Sequence, residues 1–107
     1  MDNKYFEYSK ILKALADPKR LCIVDMLSCG ELCACRILEE FQITQPTLSH
    51  DMNLLCGVGI VTMRREGKWV YYSLNEEKLQ TFHKNLGILI SDKPDCICHQ
   101  KRQNKNI

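Results

Sequence analysis

The chain is 107 residues long and contains no run that approaches the roughly 18 apolar residues of a membrane-spanning helix. Its first residues, MDNKYFEYSK, lack the apolar core of a secretory signal. It has little excess charge: 15 basic and 13 acidic residues leave +2, too small to imply nucleic acid on its own. A Cys-x-x-Cys redox motif, a phosphate-binding loop and an acid–base cluster are all missing, which argues against an enzyme. Internal repeats are also missing. What is present is an ordinary globular balance, 45% apolar and 26% charged, which argues against disorder at a length that suits one domain.

Cysteine is abundant. There are seven, an odd number without an export signal, so the expectation is free thiols in a reducing, cytoplasmic compartment rather than a disulfide framework. Four form two Cys-x-Cys pairs, Cys33/Cys35 and Cys96/Cys98; Cys22, Cys29 and Cys56 are scattered. Cys22 and Cys56 lie on apolar helical stretches and read as core packing.

The apolar spacing predicts a helix over 4–16, with Tyr5, Tyr8, Leu12 and Leu15 on one stripe that Ile11 and Ala16 widen. Asp17 and Pro18 suit the cap and first position of a second helix, running to about Cys29 with Ile23, Val24 and Leu27 inward and Gly30 closing it. A short third helix is expected over 33–41. A turn at Gln42-Ile43 leads to a fourth helix capped by Thr44, with Pro46 in its first turn and Leu48, Met52 and Leu55 facing the core. Short helix, tight turn and second helix make a helix-turn-helix. The β-rich runs 60–63 and 69–74 flank the basic turn Arg64-Arg65-Glu66-Gly67-Lys68, which reads as a wing. A last helix covers about 76–90. The predicted fold is mainly α with a β-hairpin: a winged helix-turn-helix of about five helices and a two-stranded wing. Residues 1–92 would form the DNA-binding and dimerisation domain, and residues 93–107 a flexible Cys-containing tail.

On the fourth helix His50, Asn53, Pro46 and Thr47 face outward, flanked by Gln45 and Ser49, with Asp51 at the edge of this surface. Short polar side chains at the start of a recognition helix reach base edges. Arg64, Arg65 and Lys68 would reach phosphates or a neighbouring groove. The candidate DNA-binding set is therefore Gln45, Thr47, Ser49, His50, Arg64, Arg65 and Lys68.

The segments Glu31-Leu32-Cys33-Ala34-Cys35, Gln45-Pro46-Thr47-Leu48-Ser49-His50 and Gly67-Lys68-Trp69-Val70-Tyr71-Tyr72 resemble the ArsR/SmtB family of metal- and metalloid-responsive repressors, most closely its arsenic-responsive branch. The resemblance spans about residues 8–75. It implies a homodimeric winged-helix repressor that binds double-stranded operator DNA when empty and releases it on binding As(III), Sb(III) or a soft metal. No catalytic cofactor and no membrane partner are implied. The arsenic branch often carries a third cysteine where this chain has Leu38, and an acid where it has Arg36. His83 alone does not make the paired acid and histidine site of the zinc-sensing branch.

Thiolates are soft ligands suited to As(III) and Sb(III). Cys33 and Cys35 are the main candidate ligands, and Cys96 and Cys98 additional ones, with Cys29 nearby in sequence. Arg36 beside the pair would favour the thiolates. If both residues were helical, the sulfurs would point about 200° apart, so ion binding would have to distort the first turn. The alternative function is a winged-helix repressor whose thiols sense oxidation or another soft metal.

Overall fold

The computed structural model describes residues 1–92. Five helices and three strands follow in the order α1 (Asn3–Leu15), α2 (Pro18–Leu27), β1 (Leu32–Cys33), α3 (Ala34–Glu39), α4 (Gln45–Gly57), β2 (Val61–Glu66), β3 (Trp69–Leu74) and α5 (Glu76–Leu89). The helix starts are set by side-chain caps. Asp17 accepts from the Arg20 N–H with Pro18 beginning α2, and Thr44 accepts from the Thr47 N–H at the start of α4. Asp2 and Asn75 cap α1 and α5 in the same way. After α2 the chain reverses through Gly30, whose φ of 136° disfavours any side chain.

Ile23, Ile37, Leu48, Met52, Leu55 and Ile60 are fully buried, joined by Ile11, Leu27, Val61, Tyr72 and Phe82. Every helix thus contributes to one core, and α4 is held by Leu48, Met52 and Leu55, the face that its periodicity predicts. On α1 the buried positions are Ile11 and Ala14, while Leu12 is exposed. The stripe is rotated from its expected centre, and Leu12 is left on the outer surface.

The sheet order is β1-β3-β2, antiparallel throughout. The wing is the expected hairpin, with β3 over the predicted 69–74, but β2 runs further than the 60–63 that the sequence suggests. Glu66 pairs with Trp69, so the turn is only Gly67-Lys68, and Gly67 has a φ of 60°. The third strand, β1, was not expected. It has two residues, too few to show a period of two, and is recognisable only by its pairing of Leu32 with Tyr72 and Cys33 with Tyr71.

Candidate nucleic-acid interface and thiol pair

Thr44 fixes the start of α4, and the buried Leu48, Met52 and Leu55 fix its rotation. Gln45, Thr47, Ser49 and His50 are consequently all exposed on its first two turns, together with Asn53. The Thr47 hydroxyl lies 3.0 Å from that of Thr44.

Asp51 does not lie at the edge of this surface. It is buried at 3% exposure, and its carboxylate turns inward to α2. Lys19 Nζ lies 2.8 Å from Oδ2 and Arg20 Nη1 lies 3.2 Å from Oδ1. The contact with Lys19 is an ion pair, not a directional hydrogen bond. Arg20 also donates from Nε to the Ala14 carbonyl at 2.6 Å, at the last turn of α1. One guanidinium therefore joins α1, α2 and the recognition helix. The local signal in the sequence is a basic pair, Lys19-Arg20, in the first turn of a helix, where bases are unfavourable without an acidic partner; nothing local names Asp51 as that partner.

Because β2 extends to Glu66, the three wing bases divide. Alternation along a strand sends Arg64 and Arg65 to opposite faces. Arg65 is exposed, and Lys68 sits in the turn with Nζ 5.2 Å from the Trp69 ring centre. Arg64 is engaged. Its Nε and Nη2 donate to the two Glu31 oxygens at 2.8 and 2.7 Å, and Nη1 donates to Glu66 at 2.8 Å. Its guanidinium lies over the Tyr71 ring, 4.3 Å from the centre. Hydrogen bonds from Arg64 hold the Glu31 carboxyl below its usual range, and Glu31 and Glu66 raise the guanidinium. Sequence reasoning placed Arg64 among the phosphate contacts because it read the residue as part of a loop.

Cys33 and Cys35 come together. Cys33 has extended backbone angles, φ −68° and ψ 145°, and is the cap of α3 rather than its first residue. The 200° divergence of two helical residues therefore does not arise. The two free thiols face one another with sulfurs 2.6 Å apart. The Cys35 thiol donates to Cys33, which lowers the Cys33 pKa and raises that of Cys35; backbone N–H groups of Cys35 and Arg36 lower Cys33 further. The Arg36 side chain does not take the expected role, because it pairs with Glu40 at 2.7 Å and Glu39 at 3.5 Å on its own helix.

Of the remaining thiols, Cys56 is half-buried against the core, where desolvation pushes its pKa up. Cys22 is exposed, contrary to the core role expected, because Ile23 and Leu27 form the inner face of α2. Cys29 is also exposed. Among the described residues no three metal-ligating side chains converge. Cys96 and Cys98 lie outside the described residues, as does the proposed flexible tail.

A family model described as bacterial regulatory protein, arsR family, matches residues 17–63, which span α2 to the start of the wing. An arsenical resistance operon repressor of Staphylococcus xylosus is 48% identical over 101 residues, covering 94% of this chain and 97% of that protein. The chain belongs to the arsR family. It is a winged-helix transcriptional repressor and not an enzyme. A second arsenical resistance operon repressor, from Staphylococcus aureus, is 49% identical over 94 residues, covering 88% of this chain and 90% of its own length. Among solved structures, a homodimeric winged helix-turn-helix DNA-binding domain from Mycobacterium bovis matches with a TM-score of 0.67 and 29% identity, covering 83% of this chain and 86% of that one. Among the described residues no helix of this arsR-family repressor is long and apolar enough to cross a membrane.

Proposed function

We propose that this repressor controls a metalloid-resistance operon in the cytoplasm and is released from operator DNA when As(III) or Sb(III) binds Cys33 and Cys35. The observation that carries the reading is the pair of facing free thiols, placed between the wing sheet and the short helix that leads into the recognition helix. The naming of two close relatives as arsenical resistance operon repressors supports it. Soft thiolates match soft As(III) and Sb(III). Two As–O bonds of arsenous acid are exchanged for two As–S bonds, two waters leave, and no oxidation state changes. The remaining As–O bond can exchange with a third cysteine, Cys29, Cys96 or Cys98, with loss of a third water. As(III) and Sb(III) act as inducers, and no catalytic cofactor takes part.

On DNA, Gln45, Thr47, Ser49 and His50 read base edges from α4, while Arg65 and Lys68 contact phosphate. Arg64 joins them only where it leaves Glu31. The repressor works as a homodimer through α1 and α5. Phe6 and Leu12 on α1 and Ile88 on α5 are exposed apolar residues, and Tyr8 of α1 meets Phe82 of α5 edge to face.

The reading is tested by operator release with sodium arsenite in a monothiol-free reductant. Arsenite must release the wild-type protein. A protein released by oxidants but not by arsenite is a redox sensor, and the metalloid reading fails.

A further inference from the structure

Cross-strand partners share a face of a sheet. Cys33 on β1 is opposite Tyr71 on β3, and Tyr71 is opposite Arg64 on β2. The three therefore form a row from the first thiol to the outer strand of the wing. Over this row lies a clamp. Arg64 covers Tyr71 at 4.3 Å and grips Glu31 through both carboxylate oxygens, while its third nitrogen holds Glu66 beside the wing turn. Glu31 is two residues before Cys33 and immediately precedes β1. The segment that carries the thiol is thus tied to the wing twice, by the β1–β3 ladder and by a bidentate ion pair that skips over β3. Neither tie passes through α3 or the recognition helix.

We propose that Glu31 and Arg64 are positioning residues that make the wing a direct output of the thiol pair. The inference rests on metalloid binding at Cys33 and Cys35. Closing both thiolates around As(III) shifts β1, and the clamp passes that shift to β2, Glu66 and the turn that holds Lys68. The bidentate geometry matters here more than the stability of the pair. A forked contact fixes direction as well as distance, whereas an exposed ion pair adds little to folding. Release then needs no unwinding of α3, which agrees with thiols that already face one another.

The chain carries its own reporter. Trp69 is the only tryptophan, flanks the wing turn and is half-exposed. The experiment titrates sodium arsenite, in a phosphine reductant, into the full chain as wild type, Glu31→Gln, Arg64→Gln and the charge-reversed double variant Glu31→Arg with Arg64→Glu. As–S bonding is followed by near-ultraviolet absorbance, wing response by Trp69 fluorescence, and release by operator anisotropy. In the wild type all three signals move together. In Glu31→Gln and Arg64→Gln the As–S signal keeps its midpoint within about twofold. The Trp69 change falls at least about fivefold, and half-release needs at least about fivefold more arsenite, within the usual range of allosteric coupling. The charge-reversed protein regains at least about half of the Trp69 change. Glu31 is exposed, so its neutral variant keeps the core. Single variants whose Trp69 response and release midpoint stay within twofold of wild type overturn the clamp and leave metalloid sensing standing. A wild type with no As–S signal, or one that persists after Cys33 and Cys35 become serine, overturns the sensing reading and the clamp with it.

Discussion

Cys33 and Cys35 are two residues apart, yet the first is extended and the second helical, and that difference sets their chemistry. Cys33 accepts from its partner's thiol and from backbone N–H groups, so its thiolate is favoured at the expense of Cys35. The lowered Cys33 pKa means that the thiolate is present above that value and lost as pH falls through it. Among the described thiols, alkylation by iodoacetamide therefore starts at Cys33, and its rate drops as the pH falls through the lowered pKa. Cys35 needs a more alkaline medium, and half-buried Cys56 lags as well. Mass spectrometry after limited labelling at pH 7 reads the order, and a first label on Cys35 contradicts this account of the pair. Asp51 is the other residue whose surroundings decide its role. Asp51→Ala leaves Lys19 and Arg20 without their shared anion. The loss expected in urea unfolding is about 2–3 kcal/mol, below the usual cost of breaking a buried pair because Lys19 can regain water. A loss under about 0.5 kcal/mol, the size of an ordinary surface change, shows that the contact is not holding α4 to α2.

At the scale of elements, the proposed reading gives α4 and the wing separate parts of DNA binding. His50→Ala and Ser49→Ala lower the preference for operator over random DNA with the fold intact. Arg65→Ala and Lys68→Ala weaken both, and each reduces the salt slope by about one. Arg64→Ala changes the slope less, because Glu31 and Glu66 already neutralise that charge. Equal slope changes for Arg64 and Arg65, measured by fluorescence anisotropy over a salt series, contradict the division of the wing. Much of this architecture was legible in the sequence because it rests on local signals. Asp17-Pro18 and Thr44 announce helix starts, and the spacing of Leu48, Met52 and Leu55 gives the rotation of α4. What was not legible rests on pairing between distant segments. A strand of two residues has no period to read, so Cys33 looked helical and the sulfurs seemed to diverge. The Glu31–Arg64 and Lys19/Arg20–Asp51 contacts join residues more than 30 positions apart. Composition shows the charges but not who meets whom.

For the whole molecule, the exposed apolar side chains of α1 and α5 are the face proposed for dimerisation. Phe6→Glu together with Leu12→Glu places charge there without touching the core. The double variant is expected to sediment as a monomer at micromolar concentration and to lose operator binding by at least about tenfold, since two recognition helices bind half-sites one helical turn apart. A variant that remains a dimer moves the interface elsewhere.

The central claim is that the thiols at the start of α3 sense the metalloid. It is tested most directly by arsenite-driven operator release on three full-length proteins: wild type, Cys33→Ser with Cys35→Ser, and Cys96→Ser with Cys98→Ser. Serine keeps the size of cysteine but is a poor ligand for a soft ion. The account predicts release of the wild type, retention of DNA by the first double variant at arsenite concentrations that empty the wild type, and a smaller loss of response in the second. A tail variant that no longer responds, beside a Cys33/Cys35 variant that still does, contradicts it and places the sensor at the C-terminus.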